Sequence, residues 1–270
     1  VLVNNWLERT SGILDPRGAE KSFQLTRHSP SRALAPFVAR YWIMRWELGT
    51  PYRQSVIPYP CVNLAVERAR SGVFGVASKS FSRLLEGRGL VFGVQFLPGA
   101  FRTFLGKPVA SLTDRSIPIA DVFGTSDREW EEAIFPLKDA AAMIAQAETR
   151  LRAMSPQRHE DAEEVLRIVN AVADNREITK VNDVVRIAGT SKRTLERLFR
   201  EYVGVGPKWV IQRYRLHDAA EHAATATTHD WADLAARLGY ADQAHFIRDF
   251  KRFVGQSPTR YAAAIVPRRS

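Results

Sequence analysis

Arg193, Glu196, Arg197 and Arg200 follow one another at i, i+3, i+4 and i+7, the spacing that puts four side chains on one face of a helix. A guanidinium at the front of a groove-bound helix can donate two hydrogen bonds to guanine O6 and N7. Arg193 and Arg197 have that capacity, and Glu196 can accept from cytosine N4 or hold Arg197 in place. A second set lies further along, with Gln243, His245, Arg248 and Lys251. Gln243 suits adenine, while His245 and Arg248 reach for bases or phosphates. Lys192, Arg200 and Lys251 suit phosphates, contacts that position a protein without reading sequence. A single such face is equally the solvated side of an ordinary helix, so the choice rests on what surrounds it.

What surrounds it is a repeat. Ser191, Leu195, Arg197, Phe199, Arg200, Tyr202, Val203, Gly204 and Pro207 are matched, at the constant offset that separates Arg197 from Arg248, by Asp242, Phe246, Arg248, Phe250, Lys251, Phe253, Val254, Gly255 and Pro258. The same small unit is built twice. In each, a capping Ser or Asp opens a helix, apolar residues line its inner face, and Gly then Pro close it. Upstream, Thr179 is an expected N-cap for a short apolar helix ending at Gly189. The second unit is expected to begin near Thr228 or Asp230 and to turn at Gly239-Tyr240, leaving Ala244 and Ile247 outside. Two short helices around a tight turn with a basic outer face describe a helix-turn-helix. Asp249, in the slot that Leu198 fills in the first copy, breaks the pattern. The connector from Pro207 to about Ala224 is roughly 27 Å long at ~1.5 Å per residue. Major-groove segments on one side of B-DNA recur about every 34 Å, so one chain can address two of them.

The bulk numbers agree with two domains. The chain has 270 residues, 45% of them apolar, and a net charge of +10. The surplus is densest where the repeat lies. Basic excess favours phosphate-bearing partners through counterion release. No apolar run approaches the ~18–20 residues that cross a bilayer, and no secretory pattern opens the chain. The one cysteine, Cys61, fits a reducing, cytoplasmic setting.

The expected fold class is α+β. Residues 1–125 read as a β-rich mixed domain of antiparallel strands, with strands over Arg40–Leu48, within Val56–Glu67, over Ser71–Ala77 and over Gly89–Leu97. Residues 126–176 read as a helical connector, with Ser126 capping a first helix, Pro136 breaking it, and a Leu137–Met154 helix that could serve as a dimer seam or pack on its own sheet. Residues 177–270 read as all-α. Trp42, Trp46 and Tyr59 are candidates for an effector pocket, and equally suit a core.

The run SKRTLERLFREYVGVGPKWVIQRYRL, followed by WADLAARLGYADQAHFIRDFKRFVGQSPTRY, resembles the DNA-binding domain of the AraC/XylS transcription regulators over about residues 177–265. The second half is the more specific, with its Gly-aromatic turn, Asp-Gln, R-x-F-K and G-x-S-P. The resemblance implies two helix-turn-helix units joined by a long helix and bound to double-stranded promoter DNA, with RNA polymerase as a partner where the protein activates. Base contacts would fall on Arg193, Glu196 and Arg197, then on Gln243, His245 and Arg248; the small Ala244 departs from the pattern, as does Val185, where the family usually has alanine. The stretches VIPYPCVNLAVE, GVQFLPGAFRTFLG and SLTDRSIPIADVFG are similar to the front half of a subset of these regulators, which implies a part that senses an effector, forms a homodimer, or both.

Two other readings compete. A basic two-helix module suits an architectural DNA-binding protein of low specificity. Pro60-Cys61 resembles an alkyl-accepting nucleophile joined to this kind of module, yet Val62-Asn63 supplies no activating cation. The six histidines form no HExxH and no paired zinc spacing, so neither a metal nor a cofactor is expected.

Overall fold

The computed structural model describes residues 12–225 and 230–265. It is α+β. Helix α1 (Pro16–Ser22) precedes strands β1 (Gln24–His28), β2 (Val38–Val56), β3 (Asn63–Glu67), β4 (Gly72–Phe74) and β5 (Phe81–Phe96). Short helix α2 (Arg102–Leu105), strand β6 (Ser116–Ile117) and helices α3 (Ala120–Phe123), α4 (Asp127–Ile134), α5 (Ala140–Ala153) and α6 (Glu160–Asp174) follow. The six strands form one antiparallel sheet in the order β1-β2-β5-β3-β4-β6.

Two strands outrun the sequence expectation. β2 continues past Leu48 to Val56, and β5 begins at Phe81 rather than Gly89. Gly49 and Pro51 signal a turn, but they fall in the register shift between Leu48 and Tyr52, where a bulge tolerates a missing ladder donor.

Pleating divides the sheet's residues between its faces. Tyr41, Ile43, Leu64, Val66, Phe92 and Val94 point into the first core, which Trp130 and Ile134 of α4 and Met143, Ala147 and Leu151 of α5 complete. The capping box at Ser126, whose hydroxyl accepts from Glu129 N–H while the Glu129 carboxylate accepts from Ser126 N–H, fixes where α4 starts. The apolar stripe of α5 is thus spent on its own sheet. Within the stretch 126–176, α4 and α5 pack on the sheet, while α6 joins a second core.

The remaining helices are α7 (Val181–Ala188), α8 (Lys192–Leu198) with a π turn over Phe199–Val203, α9 (Pro207–Thr225), α10 (Trp231–Arg237), α11 (Gln243–Val254) and α12 (Pro258–Ile265). A second core gathers α6, α7, α8 and the front of α9, and takes in Tyr59, Cys61 and Val76 from the sheet domain. A third gathers the rear of α9 with α10, α11 and α12, and takes in Leu14 and Ile57. Both helical cores therefore contain residues from the β-rich half. Among the described residues no helix is long and apolar enough to cross a membrane.

Candidate nucleic-acid interface

α7 and α8 form the first unit. α7 opens at Lys180, whose N–H donates to Asp183 Oδ2 at 3.0 Å; Thr179, the expected cap, instead packs against Gly239 of the second unit, leaving no room there for a Cβ. Gly189 takes φ +59 and ends α7 in the left-handed region. Ser191 caps α8, accepting from Thr194 N–H at 3.1 Å. Leu195, Leu198 and Phe199 are buried and Tyr202 partly so, while Lys192, Arg193, Glu196, Arg197 and Arg200 are exposed on the outer face.

α10 and α11 form the second unit. Asp230 is the N-cap, accepting from Ala232 and Asp233 N–H at 3.0 and 2.9 Å; Thr228, the other expected start, lies outside the described residues. Asp242 caps α11 through His245 N–H at 2.7 Å. Phe246, Phe250, Phe253 and Val254 are buried, and Gln243, Ala244, Arg248 and Lys251 are exposed. Ile247, expected outside, packs partly against the third core. His245 stands apart: its ring meets Tyr240 edge-on at 5.2 Å, and Nε2 lies 3.7 Å from Asp249 Oδ2. Asp249 therefore faces His245 rather than the core, which accounts for a carboxylate where the first copy has Leu198.

The matched positions play equivalent structural parts. Ser191 and Asp242 are both caps, Leu195 and Phe246 are both fully buried, and Gly204 and Gly255 both close their helix with φ +96 and +87. Pro207 and Pro258 both begin the next helix. The first copy differs at its exit, where Gly204 N–H reaches back to Phe199 O through the π turn. There Gly204 O accepts from Thr113 Oγ1 at 2.6 Å, and Arg102 pairs with Glu201 at 2.6 Å. The sheet domain grips the first unit at its exit.

It also grips α9. Trp209 Nε1 and an Arg213 terminal nitrogen both donate to Ser78 O at 3.0 Å. The Arg213 guanidinium lies between the rings of Trp209 and Phe253, 4.3 and 4.4 Å from their centroids. Burial pulls it down to about 10, so it remains charged at neutral pH. Arg215 donates to Val172 O and Asn175 O at 2.7 and 2.8 Å, satisfying carbonyls at the end of α6. Burial lowers its pKa, and Asp218 opposes that shift.

Residues 184–264 match a helix-turn-helix domain family, and residues 26–118 match a domain of unknown function (DUF6597). Over 81 residues the chain is 32% identical to the HTH-type transcriptional activator AarP of Providencia stuartii, covering 30% of this chain and 59% of AarP. Over 85 residues it is 28% identical to the raffinose operon transcriptional regulatory protein RafR of Pediococcus pentosaceus, covering 32% of this chain and 30% of RafR. The carboxy-terminal domain is of the AraC/XylS type. The chain thus matches less than two thirds of the length of either relative. Among solved structures, ToxT from Vibrio cholerae is similar over 92% of this chain and 100% of that one, at 13% identity and a TM-score of 0.38.

The AraC/XylS-type domain carries features that its sequence does not announce. Arg213, Arg215 and His217 are residue types that solvate a helix surface, yet all three are buried; their interruption of an apolar stretch in α9 is the available signal. Val185, the departure from the usual alanine, packs partly against the second core.

The pocket candidates separate. Trp42 and Tyr59 line a cavity of about 880 Å³ on the sheet face opposite the first core. Trp46 lies outside it, buried, with Nε1 donating to Glu86 O at 3.1 Å. Cys61 lines the cavity wall, but burial pushes its thiol up to about 12.

Proposed function

We propose that this protein is a sequence-specific DNA-binding transcription regulator, activator or repressor, controlled through its N-terminal domain by a small molecule or by association into a homodimer. The observation that carries the reading is the paired construction of α8 and α11: two capped helices in matched register, α8 turning charged side chains to solvent and α11 charged side chains and the amide of Gln243. In this reading Arg193, Glu196, Arg197, Gln243 and Arg248 meet base edges, and Lys192, Arg200 and Lys251 meet phosphates. His245 joins the base contacts by giving up its place beside Asp249. α9, at 19 residues and ~1.5 Å each, is roughly 28 Å long, a span suited to adjacent major-groove segments about 34 Å apart. The cellular setting is the cytoplasm, at the nucleoid, with RNA polymerase as a further partner for an activator.

The reading is non-enzymatic. A thiol buried and pushed up as Cys61 is stays protonated at neutral pH, and an alkyl acceptor works as the thiolate. An architectural binder of low specificity has no need of glutamine and glutamate beside arginines on registered reading faces. Selection of bound fragments from randomised duplex DNA separates the two: a regulator enriches one bipartite site with its halves about one helical turn apart. Retention of DNA without any enriched sequence would sink the proposal in favour of the architectural one.

A further inference from the structure

Sheet register aligns a cationic end and a flat floor in the cavity. Arg27 stands opposite Trp42, Trp42 opposite Gly93, Gly93 opposite Ala65, and Ala65 opposite Gly72. The next row on the same face runs Arg40, Gln95, Asn63, Phe74. The Trp42 indole lies so close on the Gly93 backbone that no Cβ fits there, so the ring is laid flat along the sheet with part of its surface left open. Ala65 and Gly72 keep the row beyond it shallow. Arg40 Nε donates to Gln95 Oε1 at 2.6 Å, which fixes the direction of that guanidinium. Arg27 and Arg40 both line the cavity, near enough that the Arg27 charge adds to burial in lowering the Arg40 pKa. Among the described residues, the carboxylates lining the cavity are Glu67 and Glu86. Glu67 sits two rows from Arg40, roughly 13 Å at ~3.3 Å per residue, and is taken up by a bidentate pairing with Arg83. At the rim, Phe81 and Leu84 are 46% and 42% exposed, apolar surface that a ligand body would cover.

We infer that the cavity binds an organic anion with a planar apolar body, its carboxylate between Arg27 and Arg40 and its ring system against Trp42. This rests on the reading of the N-terminal domain as the effector-sensing part. Paired guanidinia match the two oxygens of a carboxylate, and bringing an anion between two like charges relieves their repulsion. A flat aromatic face takes a planar partner in offset or edge contact better than a flexible chain, which loses rotamer freedom on binding. The volume suits a ligand of the usual small-molecule size.

Isothermal titration calorimetry of the full chain, without DNA, compares sodium 2-naphthoate, the neutral 2-naphthamide and the flexible sodium octanoate. Naphthoate is expected to bind at least tenfold more tightly than either of the others. Equal affinity for naphthamide overturns the anionic head, equal affinity for octanoate overturns the planar body, and no binding of any of the three overturns the whole. Arg40→Gln is expected to weaken naphthoate at least tenfold while leaving naphthamide unchanged. Arg27→Gln, on the exposed edge strand β1, is expected to do the same and guards against a fold failure at the central position; loss of naphthamide binding in step with naphthoate in both variants counts against the assignment. No DNA enters the measurement, so failure here leaves the DNA-reading proposal standing, and failure of the fragment selection leaves this one standing.

Discussion

The ring of Tyr59 lies parallel to that of His217, with centroids 4.4 Å apart and planes 8° from each other. Tyr59 lines the cavity of the sheet domain, and His217 sits on α9, the helix between the two reading units. One stacked pair thus joins the wall of the cavity to the element that separates α8 from α11.

The burial of His217 at that contact should make the assembly acid-labile. Burial, reinforced by the neighbouring Arg213 charge, holds the His217 pKa down at about 3 against an ordinary 6.5, and a hydrogen bond with Pro58 offsets only part of this. Between those two values the unfolded chain binds a proton that the folded chain refuses. His217 therefore contributes its full stability above about pH 6.5, and that contribution drains away as pH falls toward 3, at up to about 1.4 kcal/mol per pH unit. His217→Phe keeps a ring on Tyr59 and removes the titration. Thermal melts at pH 7 and pH 5 should show a smaller drop in midpoint for the variant than for the parent; an identical drop would count against His217 as the source.

Arg213 binds three parts of the molecule at one point: the Ser78 carbonyl, Trp209 of its own helix and Phe253 of the second unit. A desolvated cation between two aromatic faces contributes about 2 kcal/mol or more per contact. Arg213→Met keeps much of the side-chain volume and loses the charge and the planar stack. Urea unfolding should place it about 2–4 kcal/mol below the parent, and Arg213→Lys should recover only part, since an ammonium lacks the flat face. A loss under 0.5 kcal/mol for Arg213→Met would show that the sandwich contributes little.

The reading units were legible because their signals are local and doubled. Ser191 and Asp242 are caps whose chemistry depends on the next three residues, and the inward residues of α8 and α11 follow a period of 3.6 that any window of ten reveals. Asp249 breaks the repeat along the chain, and only the fold brings His245, itself against Tyr240, beside it. Several joins between the halves were not legible, because carbonyls make them. Ser78 O, Gly204 O and Val172 O accept from Arg213, Thr113 and Arg215, and a carbonyl leaves no mark in a sequence. For the same reason α5 offered itself as a dimer seam: its apolar stripe is visible along the chain, while the sheet face that covers it is assembled from four strands.

Gly204 and Gly255 occupy equivalent positions with φ +96 and +87, but their surroundings differ. A Cβ at Gly255 meets nothing within 4 Å, whereas one at Gly204 comes within 3.0 Å of Thr113 Oγ1 and 3.2 Å of Val109. Both alanine variants suffer the left-handed backbone cost of about 1–2 kcal/mol. Gly204→Ala adds crowding against the sheet domain and should be the more destabilised by about 1 kcal/mol or more in urea unfolding. It should also raise protease cleavage between the sheet domain and α7, where Gly255→Ala leaves the digestion pattern alone. Equal losses would mean that the close approach at Gly204 relaxes without cost.

The exposed faces of α8 and α11 divide into residues expected to read and residues expected to hold. Arg197→Ala and Arg248→Ala should each weaken the selected site by about 1–3 kcal/mol and relax preference at one base position, because each removes a donor pair from a base edge. Lys251→Ala removes a phosphate contact instead; it should weaken all sequences alike and lower the slope of log K against log salt by about one. His245→Ala tests the one residue that the protein itself engages: it removes the Asp249 contact at 3.7 Å and the Tyr240 edge, so any lost preference should come with a change in thermal midpoint. Fluorescence anisotropy of a labelled duplex across a salt series, with the selected site and a scrambled one, measures affinity and preference for all four, and a thermal melt of His245→Ala gives its midpoint. Unchanged affinity and unchanged preference in both Arg197→Ala and Arg248→Ala would refute the assignment of α8 and α11 as the reading helices.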